Sequence, residues 1–436
     1  MTVDDMSAVA AAVADAHRRE WAFVLAATVR VARDLDVAEE CVQEAFATAL
    51  TDWRAHGIPA RPGAWLTTAA KRRALNVLRH RGVERRALPL LVDEVAVPGP
   101  DDLLDERPGG GEIPDDRLRL IVTCCHPALD RPAQVALTLR LMCGLSTAEV
   151  ARAFLVSEPT MAARITRAKK KIAVARIPYR VPAADELPER VDAVLAVIHL
   201  LFTTGHTTPA GDDLVRRDLV ERSVELCRML RRLLPRDPAV AGLLALLLLT
   251  DARRETRTGP DGRLLLLEEQ DRSRWDAAAI AEGAALVREA LRARPPSRYA
   301  LQAAIAAVHA ESPTWGDTDW HEIVALYDVL TRLWPSPVVA LNRAVAVGFA
   351  YGAAAGLAAL DVLAGEPQLA GYGYLAAARA DFLRQLGRVE DAREAYTEAL
   401  LLTGNAVERE FLTGRLRAVG GDPGPTPPGS GSARAH

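Results

Sequence analysis

Two breaks constrain this chain more than any other feature. Residues 86–116 read "RALPLLVDEVAVPGPDDLLDERPGGGEIPDD", and residues 177–188 read "IPYRVPAADELP". Proline, glycine and acids crowd the first, and three prolines interrupt the second. Neither can carry a regular helix, because proline lacks an N–H and clashes with the preceding turn. Elsewhere alanine, leucine and arginine dominate, all good helix formers. No sustained Val/Ile/Thr alternation marks strands as the main plan. The expected fold class is therefore all-α, in three helical blocks at 1–86, 116–176 and 188–418. Residues 87–115 read as an acidic flexible linker. Residues 419–436, ending "GGDPGPTPPGSGSARAH", read as a disordered tail.

A chain of 436 residues with 50% hydrophobic content can bury two or three cores. Five cysteines, at 41, 124, 125, 143 and 227, include no CxxC pair and form no disulfide framework, which points to a reducing cytoplasm. The first twenty residues carry early acids and no basic start ahead of an apolar run, unlike a signal peptide. The most apolar run, Ala239 to Leu249, is too short to span a bilayer and reads as a buried helix. No membrane partner is expected.

The last block carries a repeat. Shifted by 34, residues 342–365 fall on 376–399: Ala346 meets Ala380, Phe349 meets Leu383, Ala358 meets Ala392 and Val362 meets Tyr396. That period, with small residues where helices touch, matches the tetratricopeptide pattern, best in "LGRVEDAREAYTEAL". An unrelated helical bundle is the alternative.

Charge is concentrated in one place. The net charge is −3 and the chain has only four lysines, yet three of them stand together as Lys169, Lys170 and Lys171. They end the stretch "LSTAEVARAFLVSEPTMAARITRAKKKI". Ser146 and Glu149 can form a capping box. Ser157 can cap a second helix with Pro159 in its first turn. Two short capped helices joined by a tight turn make a helix-turn-helix. Met161, Ile165, Ala168 and Ile172 form an apolar stripe. Thr160, Ala163, Arg164, Arg167, Lys170 and Lys171 collect on the other side. Small residues near the start allow approach to base edges, arginine can pair with guanine, and later cations meet phosphate. A solvated basic face on an ordinary helix is the competing reading.

The N-terminal block adds two faces of opposite character. In "DLDVAEECVQEAFATALTDW" Asp36 is the expected cap, and Cys41, Val42, Ala45, Phe46, Ala49 and Trp53 form the buried side. Glu39, Glu40, Gln43 and Glu44 are expected to stand outward. In "RPGAWLTTAAKRRALNVLRHR", Trp65 and Leu66 lead a strongly basic segment. An acidic-polar helix followed by a basic one suggests two different partners.

At this point the chain resembles a known family. "AEECVQEAFATAL" and "AWLTTAAKRRALNVLRHR" are similar to region 2 of bacterial sigma factors, and residues 136–172 resemble sigma region 4. The order and spacing resemble extracytoplasmic-function sigma factors. "TCCHPAL", "LLLLEEQDRSRWD", "YALQAAIAAVHA" and "PSPVVALNRAVAV" resemble the subgroup with a long tetratricopeptide-type C-terminal extension. The resemblance implies a non-catalytic specificity subunit that directs transcription initiation, in the cytoplasm and at the nucleoid, without a cofactor. It implies core RNA polymerase as partner, through the β′ clamp and β flap, together with promoter DNA, and a protein or peptide ligand for the repeats. It places polymerase docking on Glu39, Glu40, Gln43 and Glu44. It places −10 recognition on Trp65, Lys71, Arg72, Asn76, Arg79, His80 and Arg81. The −35 element falls to Thr160, Ala163, Arg164, Arg167, Lys170 and Lys171. The family usually has an aspartate where this chain has Asn76 and a second arginine where it has His80. A helix-turn-helix regulator with a repeat-type sensor domain is the rival reading, but such a regulator has no need of residues 34–81.

Other groupings read as structural. His321–Glu322 is not HExxH, because Ala325 stands where the second histidine would. Cys124–Cys125–His126 lacks tetrahedral spacing and a second ligand pair. The charges of "EEQDRSRWD" read as pairs between packed helices. "PGGGE" lacks the GK of a phosphate loop.

Overall fold

The protein is described by a computed structural model that places residues 3–87 and 116–419, except 155, 181, 184–185 and 209. Residues 88–115 of the expected linker 87–115 and residues 420–436 of the expected tail 419–436 lie outside the described residues, while Ala87 and Val419 close helices. The fold is all-α, and its contacts divide it into two compact units, Met1–Val197 and Ile198–His436.

In the first unit α1 (Val3–Ala32), α2 (Leu35–His56) and α3 (Pro62–Ala87) pack on one another. Trp21, Val24 and Leu25 of α1, Phe46 and Trp53 of α2 and Leu66 of α3 are buried. The whole predicted inner side of α2 is buried. Its cap is Asp34, not Asp36: the Asp34 carboxylate accepts from Asp36 N at 2.8 Å and Val37 N at 3.0 Å. Leu35 is itself buried in the first turn, and the helix starts two residues earlier than the sequence suggested.

Next come α4 (Asp116–Cys124), α5 (Arg131–Leu137) with a wide turn over Thr138–Met142, α6 (Thr147–Ala153) and α7 (Glu158–Val174). The capping box forms: Ser146 N donates to Glu149 Oε2 at 2.7 Å, and Glu149 N to Ser146 Oγ at 3.2 Å. Ser157 caps α7 through Thr160 N at 3.4 Å, and Met161, Ile165, Ala168 and Ile172 are its buried stripe. The proline break after α7 is pinned, since the Tyr179 hydroxyl donates to the carbonyls of Ala26 at 3.0 Å and Asp116 at 3.2 Å. Cys124 and Cys125 are buried, and burial pushes both thiols up, Cys125 to about 12. α8 (Leu187–His206) contains the boundary between the two units, later than the proline break where a boundary was expected.

The second unit continues through α9 (Arg217–Leu233), α10 (Pro238–Asp251), α11 (Ala277–Ala290), α12 (Arg298–Glu311) and α13 (Trp320–Leu333). It ends with α14 (Pro337–Tyr351), α15 (Ala353–Asp361), α16 (Gly373–Gln385), α17 (Val389–Leu402) and α18 (Ala406–Val419). Most of these helices pack chiefly on their chain neighbours, as in a stacked helical repeat, while α12 packs chiefly on α10, two helices back. The apolar run of 239–249 lies inside α10, which is buried on nearly every side. Among the described residues no helix is long and apolar enough to cross a membrane.

The 34-residue shift carries the hairpin α14–α15 onto α16–α17. Ala346, Ala380 and Ala392 are buried, as small contact residues should be, but Ala358, which the shift pairs with Ala392, is exposed. Two bulky pairs break the symmetry: Phe349 is exposed where Leu383 is buried, and Val362 is exposed where Tyr396 is buried. Gly348 and Gly356 leave no room for a Cβ because the Phe382 ring lies against both. Among the described residues, only Ala210–Gly211 and Gly404–Asn405 pair as strands, in parallel.

Candidate nucleic-acid and polymerase interface

The basic helix α7 is held by its apolar stripe, which fixes which residues face outward. Thr160, Ala163, Arg167, Lys170 and Lys171 are exposed, and Arg164 is half-buried with its guanidinium 5.4 Å from the centre of the Phe154 ring. Thr160 shares a hydrogen bond with Ser157 at 2.8 Å, and Arg167 Nε donates to Ala163 O at 3.3 Å. The six positions form one cationic surface with small residues at its N-terminal end, suited to a DNA groove and its phosphates.

Lys169 behaves differently from its neighbours. Its Nζ lies 2.6 Å from Glu39 Oε2 and 2.7 Å from Asp36 Oδ1. Arg140, from the wide turn after α5, pairs with the other oxygen of Glu39. The Lys169 side chain is 10% exposed and that of Glu39 6%. Burial pulls the Lys169 ammonium down, but the Glu39 and Asp36 carboxylates outweigh it and hold the pKa above the ordinary lysine value. Glu39 was expected to face outward, and this is corrected: it is buried between two cations that come from residues 101 and 130 positions away.

The same seam is closed by packing. Trp21 Nε1 donates to Leu141 O at 3.1 Å. Gly144 has a φ of +69°, and a Cβ there would meet His17 and Trp21 at 2.8–2.9 Å. Glycine is thus required twice, for the turn and for the approach of α1.

On α2, Glu40 and Gln43 are exposed and Glu44 is half-buried. Gln43 donates to Glu39 at 3.3 Å, while Glu44 accepts from Arg73 of α3 at 2.6 Å. On α3, Arg72, Asn76, Arg79 and His80 are exposed, and Lys71 is half-buried. Arg79 donates to Asn76 Oδ1 at 3.4 Å, and His80 Nδ1 lies 2.8 Å from Asn76 O. Trp65 is half-buried, edge-on to Trp53 at 5.7 Å. The side chain of Arg81 lies outside the described residues. Sequence reasoning missed Trp21, Arg140, Lys169 and Arg73 as positioning residues. The odd lysine count near residue 169 was the only signal for any of them.

A helix-turn-helix with an exposed basic second helix, packed on a three-helix unit, is an arrangement suited to binding DNA. Comparison with known proteins gives the family. Residues 17–83 match the family described as Sigma-70 region 2, and residues 119–172 match Sigma-70, region 4. Residues 190–291 match a family of unknown function, DUF6596. A curated relative, "Uncharacterized protein R00370" of Rhizobium meliloti (strain 1021), is 42% identical over 401 residues, covering 92% of this chain and 94% of its own. No solved structure matches the chain. The chain belongs to the sigma-70 family, a family of non-catalytic RNA polymerase subunits: it is an RNA polymerase sigma factor with a C-terminal extension, and its sigma-70 domains imply binding to core polymerase and promoter DNA.

Proposed function

We propose that this sigma factor is of the extracytoplasmic-function type, acts in the cytoplasm at the nucleoid, and performs no covalent chemistry in any part of its chain. The matched regions 2 and 4 follow one another directly, from residue 83 to residue 119. The interval is shorter than most independently folding domains. In this reading residues 1–86 dock on polymerase and read −10, residues 116–176 read −35, and residues 188–418 regulate.

The observation that carries the reading is the division of labour on α7. Its buried stripe and Lys169 serve the fold, which leaves Thr160, Ala163, Arg164, Arg167, Lys170 and Lys171 to the promoter. Trp65, Lys71, Arg72, Asn76, Arg79, His80 and Arg81 are assigned to the −10 strand. Opening a few stacked base steps costs about a few kcal/mol each, and basic contacts along α3 offset part of that. Glu40, Gln43 and Glu44 are assigned to the β′ clamp. Glu39 joins them only if Lys169 and Arg140 release it. The β flap is assigned to the block 116–176.

The test is in vitro transcription with core polymerase, comparing the full chain with a chain ending at His206. That end keeps α8, whose Ala193 carbonyl accepts from Arg131 Nη1 at 3.2 Å. A change of more than tenfold in output at matched core occupancy supports regulation by the extension. Equal output removes that role and leaves the sigma assignment in place.

A further inference from the structure

The second unit holds a cavity of about 630 Å³, within the range that takes a small organic ligand or a short peptide. It runs from the α12–α13 side of the unit to the α16–α18 side. Its two ends differ in chemistry.

One end is aromatic. The ring centres of Trp315, Trp320 and Phe349 lie 4.5–5.3 Å apart, and Phe349 keeps 41% of its surface accessible. Glu268 also lines the cavity, from the loop ahead of the turn Arg272–Arg274. Arg272 ties that turn to the end of α12 through the carbonyls of His309 and Ser312, both at 2.6 Å. The neighbouring charges of the loop are consumed by the fold. Glu269 accepts from Leu266 N at 2.7 Å and Arg263 at 3.1 Å, Asp271 caps the turn, and Asp276 caps α11. Glu268 is left exposed, with no hydrogen bond or ion pair among the described residues.

The other end is cationic. Asp381 is neutralised by Arg384 at 2.8 Å and accepts from Gln385 at 2.8 Å. Arg415 lies over the Phe411 ring at 5.2 Å and has no carboxylate partner among the described residues. Two uncharged polar groups of the lining have no protein partner among those residues: the buried Nδ1 of His309, whose ring packs edge-on to Trp320 at 5.1 Å, and the hydroxyl of Tyr327. Burial, with help from Arg253 and Arg272, holds His309 down at about 4, and burial raises Tyr327 to about 12, so both are neutral hydrogen-bonding groups near pH 7. A buried polar atom left unpaired is costly.

We propose that this cavity binds a short free peptide with a bulky apolar side chain. Its ammonium end lies by Glu268 and the aromatic wall, its backbone amides bond to His309 and Tyr327, and its carboxylate pairs with Arg415. A cation beside both an aromatic face and a carboxylate is doubly stabilised. A guanidinium matches a carboxylate in two parallel hydrogen bonds. The inference deepens the reading of the extension as a regulatory domain. Binding is measured separately from transcription, so the two can fail independently.

The test is calorimetric titration of the full chain with the free tripeptides Ala-Leu-Ala, Ala-Phe-Ala and Ala-Trp-Ala. Saturable one-to-one binding of at least one is expected, weakened at least tenfold by N-acetylation and at least tenfold by C-amidation. Glu268→Gln should erase the difference between free and acetylated peptide, and Arg415→Gln the difference between free and amidated peptide, with melting temperatures unchanged. No binding at millimolar peptide overturns the proposal. So does equal affinity for free and blocked peptides, or discrimination that survives both substitutions.

Discussion

The acidic face of α2 and the basic face of α7 look alike in sequence, each a run of like charges on one side of a helix. Their fates differ. On α2 Glu39 is buried and paired, and Glu44 is paired with Arg73, leaving Glu40 and Gln43 as the exposed members of the four residues expected to dock. On α7 only Lys169 turns inward, while five of the six predicted DNA-facing residues are exposed and Arg164 is half-buried. The comparison teaches that a charge run is not one surface. One residue in it can be a structural bolt, and the residue beside it a ligand-binding group.

The largest effect that could break this comparison is at the bolt itself. Lys169→Ala removes one partner of a buried pair. It should cost the first unit about 3 kcal/mol, at the low end for such a loss because Arg140 remains on Glu39. Lys170→Ala should leave stability within about 0.5 kcal/mol, as at other exposed sites. Urea unfolding of both variants checks this, and equal losses would mean that the two lysines play the same part.

Base reading comes next. Arg167→Ala should weaken promoter binding by about 1–3 kcal/mol and relax preference at a single position. Arg164→Ala should do the same with some loss of packing on Phe154. Competition binding against a set of singly substituted promoters resolves the two. On the α2 side, Glu40→Lys should weaken core polymerase binding about tenfold, or about 1.4 kcal/mol, without changing helicity. An unchanged pull-down titration would move docking off this face. Lys170→Ala and Lys171→Ala should each weaken all sequences alike and lower the salt slope of binding by about one.

The smallest expected effect is of pH. Lys169 titrates above the ordinary lysine value in the folded chain, so its contribution is complete below about 10.5 and is lost only as pH rises through the folded value. The Lys169 contact should therefore contribute no pH dependence to stability between about pH 6 and 9. A loss there that disappears in Lys169→Ala would contradict the assignment.

How much of this was legible follows from sequence distance. The Ser146–Glu149 box, the Ser157 cap and the apolar stripe of α7 involve partners three to eleven residues apart, and helical periodicity shows them. The burial of Glu39 depends on Arg140 and Lys169, which no local pattern connects to it. The cap at Asp34 rather than Asp36 was set by the burial of Leu35, a tertiary fact. The 34-residue repeat located the hairpins correctly, yet it could not show that Phe349 would be exposed where Leu383 is buried, because its neighbours come from other helices. Glu268 was hidden in a cluster whose other charges are structural.

The central claim is that the free basic face of α7 directs core polymerase to a promoter while Lys169 only holds the fold. Sequencing the 5′ ends of transcripts made by core polymerase and the purified chain on fragmented genomic DNA tests it most directly. The account predicts starts at a fixed distance downstream of a shared −35 and −10 pair, relaxed at one −35 position by Arg167→Ala and unchanged in sequence preference by Lys169→Ala. Starts no different from those of core polymerase alone, or a base preference altered by Lys169→Ala and not by Arg167→Ala, would contradict it.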